Sequence, residues 1–436
     1  MKPHRGFVAL LMVVLVAVGV FGAMAAWVAS NPPRSKQSIN QEVLMQAREA
    51  LLAYVAVGSD PANVLTRKTR LPCPDRDGDG VADTAPDTSN CGMARQPAIG
   101  LLPWKTLGLA PLRDTDGGCL WYAVSGDFKD AADLAATTPV NADSDGAITV
   151  VNETGNSLAA KLVAVVFAPG AKLGSQVRTD PTILSADKPC ATPTSAASSG
   201  GAAADVAGYL DSGEINAGAI PPTIIFKQLT GTVDKQSLVN DQLAWIMADD
   251  YAAIATQRNA DALKQALINA SAAVDQRMPF AAAAPGEICE QNRYTGFLPK
   301  SCSYIYGVDT NGAPLTRTFD LALIAPQATL DNWHQLAFYA VAPGCALDAA
   351  SCNAATAPVL KPPVASAARA VLLMRGKQQP SCRLTDSNLT VLDQWLPCIE
   401  SQSNRSALSN PMVSQARTFA TPDKRPTSND ILRELP

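Results

Sequence analysis

From residue 7 to residue 28 the chain carries no charged side chain. At roughly 1.5 Å per residue, a helix of that length crosses the hydrocarbon core of a bilayer, about 30 Å thick. Nothing else in the sequence restricts the possible architectures so strongly, because the rest of the chain would then hang from one end of an apolar rod. Lys2 and Arg5 precede the segment and would keep the N-terminus on the cytoplasmic side. Three fates fit it. It stays as a plain uncleaved anchor, or it is removed as a secretory signal at Ala23-Met24-Ala25, or it is trimmed at its head and kept.

The junction Arg5-Gly6-Phe7 bears on the third fate. A basic head, then Gly, then Phe opening a Val/Leu-rich helix resembles the cleavage site of type IV pilins and pseudopilins. In that family a prepilin peptidase cuts after the Gly and methylates the new N-terminal Phe. The resemblance implies processing at Gly6 and Phe7. It also implies a transmembrane helix over residues 7–30 that holds the chain in the inner membrane, single-pass, and later packs against other pilin or pseudopilin subunits. Leu11 departs from the pattern, since most pilins carry Glu at that fifth position after the cut. A carboxylate in hydrocarbon costs about 2.5–3.5 kcal/mol and is kept only where it has a partner. Within the family, the K-type minor pseudopilin and some X-type minor pilins also lack it, so the resemblance is to a minor subunit rather than a major one.

The 436 residues leave room for two or three domains. Acidic residues (39) slightly exceed basic ones (35), and the basic ones are scattered. No stripe of Lys/Arg interleaved with aromatics suggests a nucleic-acid partner. None of the ten cysteines forms a C-x-x-C pair, and the chain has two histidines, so a zinc site is poorly supported. An even cysteine count after an export segment reads as disulfides in an oxidising compartment, the periplasm or the cell surface. Neighbours in sequence suggest Cys73–Cys91, Cys289–Cys302, Cys345–Cys352 and Cys382–Cys398, leaving Cys119 with Cys190. Spacing alone does not determine connectivity.

Asn31-Pro32-Pro33 interrupts the apolar helix or marks the membrane exit. A second helix is expected next, with Ile39, Val43, Ala47, Ala50, Leu51, Tyr54 and Val55 on one face, Ser38 as N-cap and Gly58 as stop. The strongest chemical motif follows in Asp75-Arg76-Asp77-Gly78-Asp79-Gly80-Val81-Ala82-Asp83. Carboxylates at positions 1, 3, 5 and 9 with Gly at 6 form the front of an EF-hand-type calcium loop, in which Val81 offers its carbonyl. Four acids packed this closely repel one another unless a cation neutralises them. Pro86 replaces the usual bidentate Glu at position 12, so Asp87 or another segment would supply that ligand. Cys73 and Cys91 bracket the loop. The expected affinity is that of extracellular modules, roughly 10⁻⁴–10⁻³ M. A weaker echo, Asn141-Ala142-Asp143-Ser144-Asp145-Gly146, reads instead as a polar turn ahead of a strand over 147–151.

A wider pattern surrounds the loop. It runs Arg70-Leu71-Pro72-Cys73-Pro74, Gly100-Leu101-Leu102-Pro103-Trp104, Leu107-Gly108-Leu109, Leu120-Trp121-Tyr122-Ala123-Val124, then an apolar strand ending at Pro169-Gly170. That order resembles a group of large pilin-like proteins of proteobacteria, which place an LPCPD–DGDG loop, a G-x-L-P-W turn and a WYAV strand behind a long N-terminal helix.

Six short echoes recur in the same order in the second half. Ala50-Leu51-Leu52 returns as Ala266-Leu267-Ile268, Arg70-Leu71-Pro72 as Arg277-Met278-Pro279, and Gly100-Leu101-Leu102-Pro103 as Gly296-Phe297-Leu298-Pro299. Trp121-Tyr122-Ala123-Val124 returns as Phe338-Tyr339-Ala340-Val341, and the strand ending at Gly170 as the one ending at Gly376. Asn240-Asp241-Gln242-Leu243 returns as Asn429-Asp430-Ile431-Leu432. The strands are short, rich in Val, Phe and Tyr, and bounded by turn residues, as in antiparallel meanders. Loops are expected over 192–204 and 353–368, a helix over 241–276, and a loosely held tail over 404–427.

The fold class expected is therefore α+β: a long N-terminal membrane helix followed by two diverged pilin-like helix-plus-antiparallel-sheet units. The leader is 1–6, the first unit with its calcium loop 31–260, and the second unit 261–436. No G-x-S-x-G, H-E-x-x-H, Walker or G-x-G-x-x-G motif is present, so no enzyme is expected. His334, beside Asp331, reads as a surface or strand-edge residue. Trp104, Trp121, Tyr122, Phe338 and Tyr339 read as core aromatics. The function implied is a calcium-stabilised minor pilin or pseudopilin of a type IV pilus or type II secretion filament. The alternatives are a tethered binding protein or adhesin outside any filament and, less well supported, a periplasmic hydrolase.

Overall fold

The computed structural model describes residues 35–57, 69–83, 91, 96–130, 140–152, 154–179, 184–193, 202–211, 213–216, 223–227, 240–321, 333–352, 360–361, 368–377, 396, 399, 401–412, 417–419 and 430–435. Among them lie three α-helices: α1 (Lys36–Val57), α2 (Ala248–Ala272) and α3 (Gln402–Leu408). None is long and apolar enough to cross a membrane. The strands among the described residues pair mostly antiparallel. This corrects the expected architecture of a long N-terminal membrane helix followed by pilin-like units, and with it the single-pass inner-membrane placement. The first described helix, α1, is the expected amphipathic one: it carries Lys36, Glu42, Arg48 and Glu49 and buries one stripe, so it supplies no span. The apolar stretch at 7–30, with Gly6 and Phe7, lies outside the described residues.

The larger sheet has seven strands. Its spine is β1 (Ala98–Leu101), β2 (Trp121–Val124), the long β4 (Ser157–Ala168) and β7 (Gln242–Met247), all antiparallel. The first half of β4 also pairs with β3 (Ile148–Val151). That strand lies parallel to β6 (Thr223–Lys227), which pairs in turn with β5 (Gly213–Asn216). The smaller sheet is a four-stranded meander in the order β15 (Ile431–Leu435), β13 (Ala370–Met374), β11 (Ala337–Val341) and β8 (Thr295–Phe297). A hairpin of β9 (Ser301–Val308) and β10 (Pro314–Asp320) and a short parallel pair, β12 (Leu360–Lys361) with β14 (Arg417–Thr418), complete the set.

Four of the six sequence echoes fall at matching places in these two sheets, and the other two fall on α1 and α2 and on a pair of isolated bridges. Leu101 faces Trp121, which faces Phe167, which faces Leu243. In the smaller sheet Phe297 faces Phe338, which faces Leu373, which faces Leu432. Leu71 bridges Lys129 in parallel, as Met278 bridges Ala346. Each meander follows a helix, α1 or α2.

Side chains alternate across each strand. Tyr122 and Val124 of β2, and Tyr339 and Val341 of β11, join α1 and α2 in one apolar cluster fed by both sheets. Trp121 and Ala123 pack with Phe167, Tyr209 and Phe226 on the opposite face of the larger sheet. Phe338 and Ala340 do so with Ile399, Leu408 and Phe419 on the smaller one. Covering both faces explains why these strands read as unbroken apolar runs rather than alternating ones.

Several local expectations shift. The face of α1 is rotated: Asn40, Leu44, Ala47, Leu51, Leu52 and Val55 are buried, while Ile39 is exposed. Asn40 tolerates burial because its amide oxygen accepts the Thr115 N–H at 2.8 Å. Ser35, not Ser38, caps the helix, accepting the Ser38 N–H at 3.1 Å. Gly58 lies outside the described residues. The helix expected from 241 begins only at Ala248, because Gln242–Met247 pairs along β4 instead. Arg48 then ties α1 to this junction, donating to the Trp245 carbonyl at 2.9 Å and to Asp250 at 2.6 Å. The expected tail holds α3, whose Leu408 is fully buried and whose Ser401 caps it.

Candidate metal centre

The backbone bridge between Asp75 and Leu101, with reciprocal hydrogen bonds of 2.8 and 3.0 Å, holds the start of the acidic loop against the edge of β1. Two residues earlier, the Cys73–Cys91 disulfide fixes its stem. Gly78 and Gly80 both take positive φ, +83° and +85°. A Cβ on Gly78 would sit 2.4 Å from the Ala191 nitrogen, and one on Gly80 would sit 2.3 Å from the Trp104 indole. Glycine is thus demanded twice over, by conformation and by the close approach of 190–191 and Trp104.

Asp75 is wholly buried. One carboxylate oxygen accepts the N–H groups of Asp77 (3.1 Å) and Gly78 (2.8 Å), and the other accepts that of Gly80 (2.8 Å). Asp77 accepts the Asp79 N–H at 3.4 Å, and Asp79 accepts the Val81 N–H at 2.7 Å. Each acid therefore folds the loop around itself, and carboxylate oxygens of Asp75, Asp77 and Asp79 come within 4.8 Å of one another. Asp83 stands apart from that trio and accepts the Arg76 N–H at 2.6 Å. Val81 points its side chain outward, 43 % exposed. Pro86 and Asp87 lie outside the described residues.

The electrostatics follow from burial and crowding. Burial pushes the Asp75 carboxyl up to about 7; the Gly78 and Gly80 N–H groups oppose this, and the charges of Asp77 and Asp79 add to it. Burial also raises Asp83. Burial works the same way on Asp77, but the Lys188 ammonium, 2.7 Å from its carboxylate, holds it below the usual value. Lys188 was not legible as part of the site. It reaches the loop because Cys190, two residues on, is tied to Cys119 and donates its N–H to the Gly78 carbonyl at 3.4 Å. Thr106 was missed too; its hydroxyl accepts the Ala82 N–H at 2.8 Å.

No protein-family model, no curated protein and no solved structure matches this chain. What the site can do rests on its own chemistry. Its donors are hard carboxylate oxygens, the set that suits calcium, magnesium or manganese rather than zinc or copper. All described cysteines are in disulfides: Cys73–Cys91, Cys119–Cys190, Cys289–Cys302 and Cys345–Cys352. Cys382 and Cys398 lie outside the described residues.

The second acidic turn is neutralised from within. Asp143 meets Arg375, and Asp145 meets Lys161 at 2.6 Å and Lys377 at 3.1 Å. Lys377 also meets Asp249 at 2.8 Å. A cavity of about 410 Å³ lies beside the Cys119–Cys190 disulfide, lined by Trp121, Arg178, Thr179 and Tyr209 among others. Arg178 spends its donors on the carbonyls of Gly208 (3.0 Å) and Gly170 and on Gln176 (2.8 Å), so it braces the wall. His334 is not at the surface. It is 1 % exposed, and the Pro299 backbone is a polar group that acts on its ring. Trp121, Tyr122, Phe338 and Tyr339 are likewise buried in the core.

Proposed function

We propose that residues 75–83 bind a calcium ion and that the chain is a non-catalytic structural subunit whose larger sheet that ion stiffens. The observation that carries this reading is the Asp75 carboxylate, buried against β1 with the carboxylates of Asp77 and Asp79 crowded around it. Three buried or half-buried acids this close are costly as anions unless a cation offsets them. Calcium takes six to eight oxygens in an adaptable geometry, which suits a loop offering acids, backbone carbonyls and open sides for water. Asp75, Asp77 and Asp79 would hold it, with the Val81 carbonyl and Asp83 completing the protein's share. The four disulfides support work in an oxidising compartment. His334, sealed in the core with its pKa pushed down by burial, is a poor general base.

The filament form of this reading is a minor pilin-like or pseudopilin-like subunit of a type IV pilus or type II secretion filament. The Arg5-Gly6-Phe7 junction and the motif order support it. The alternative is a binding protein outside any filament.

Thermal melting of the purified protein in chelator and in calcium tests the metal. At ten times Kd, mass action adds about 1.4 kcal/mol of stability, read as a rise in Tm. Asp77→Ala is expected to abolish the rise. No rise in the wild type at 10⁻² M calcium, roughly ten times the weak end of the expected class, removes the assignment.

A further inference from the structure

We propose that Lys188 is a tethered competitor for the cation: its ammonium neutralises the loop from within and must leave before a divalent ion can settle there. This rests on the calcium reading of residues 75–83. The contact is direct, at 2.7 Å from Nζ to the Asp77 carboxylate, one of the three acids whose oxygens converge. Asp75 and Asp79 bring their carboxylate oxygens to the same point as Asp77, so the ammonium stands at the edge of all three. Lys188 therefore answers the same negative potential that a metal would.

The anchoring of the segment makes this a device rather than a chance surface pair. Cys190 is tied to Cys119, and its N–H reaches the Gly78 carbonyl at 3.4 Å, so the backbone behind Lys188 is fixed to the loop it neutralises. The side chain itself is 39 % exposed, and Asp77 is 41 % exposed. It can swing into water while Pro189 and Cys190 stay in place. A partly exposed ion pair is weak, so Lys188 tunes affinity and does not block the site. A fixed backbone and a mobile charge are what a reversible competitor requires. Divalent binding would then free an ammonium at the edge of the cavity that Pro189, Cys190 and Ala191 help to line.

The test is calcium titration by calorimetry on the full chain, comparing wild type, Lys188→Met and Lys188→Arg. Lys188→Met is expected to bind about fivefold more tightly, the scale of a partly exposed ion pair, and Lys188→Arg to stay near wild type. Binding seen in Lys188→Met alone would be the same result in its extreme form. Equal or weaker binding by Lys188→Met overturns the competitor and leaves the metal site standing. No binding by any of the three overturns both. A second readout needs no variant: acylation of Lys188, followed by peptide mass spectrometry, is expected to increase when calcium is added. Unchanged labelling in a protein that binds calcium overturns the proposal.

Discussion

Lowering the pH should weaken this fold through a single imidazole. Burial pushes the His334 pKa from 6.5 down to about 4, with the Pro299 backbone opposing and Lys300 reinforcing. The neutral ring is therefore the folded form. Between pH 6.5 and about 4 the unfolded chain takes up a proton that the folded chain refuses, so stability falls as pH falls through that window. The contribution is whole above 6.5 and lost by about 4. At about 1.4 kcal/mol per pKa unit, a gap from 6.5 to about 4 is worth about 3 kcal/mol. The assay is urea denaturation at pH 7, 6, 5 and 4, on the wild type and on His334→Leu, which fills the site without a titrating group. Carboxylates contribute to both curves, so the difference between them isolates the ring. The wild type should lose about 3 kcal/mol more than the variant across the window. At pH 7 the variant should lie within about 1–2 kcal/mol of the wild type, since it exchanges a neutral buried ring and its Pro299 backbone contact for an apolar side chain. Parallel curves would refute the reasoning and show that His334 is solvated or paired in solution.

Asp143→Ala should destabilise the protein by about 1–3 kcal/mol in the same denaturation assay, because it removes a carboxylate from the Arg375 side chain, which is 4 % exposed. Lys161→Ala, whose side chain is 70 % exposed, should cost at most a few tenths of a kcal/mol. Mass spectrometry of protein from its native host should find a mature chain starting at N-methylated Phe7 if the filament reading holds. An intact Met1, or a start near Ala26, counts against it.

Individual strands were legible where the chain is apolar on consecutive positions. Trp121–Val124, Ala337–Val341 and Ala370–Met374 all form strands buried on both faces. The layout around them was harder to read. Gln242–Met247 continues into a helical pattern with no break residue between, so nothing local says that it pairs with β4 first. In α1, Ile39 and Leu44 are both apolar and lie on different faces. Only the partner surface decides that Leu44 is buried and Ile39 exposed. The acidic trio was legible because its ligand types fall at fixed spacing in one short segment. Lys188 was not, since it lies more than a hundred residues away and arrives through the Cys119–Cys190 bridge.

The two acidic turns share a local grammar and meet different fates, and long-range placement decides which. Both bend around their own side chains, with Asn141 accepting the Asp143 N–H at 2.9 Å much as Asp75 accepts that of Asp77. Around the 141–146 turn, however, the end of β13 delivers Arg375 and Lys377, and β4 delivers Lys161. Three cationic side chains there meet the two carboxylates and Asp249, which shares Lys377, so the charges balance and none is left for a metal to answer. Around the four acids Asp75, Asp77, Asp79 and Asp83, Lys188 pairs with the trio and stands half in solvent, and Arg76 acts on Asp83. The excess of negative charge, not the D-x-D-x-D-G spelling, is what makes the first turn a metal candidate and the second a clamp. It follows that Asp143→Ala should weaken the fold without touching any calcium-dependent rise in Tm, while Asp77→Ala should remove the rise. If both substitutions removed it, the rise would report overall folding rather than an ion at the loop.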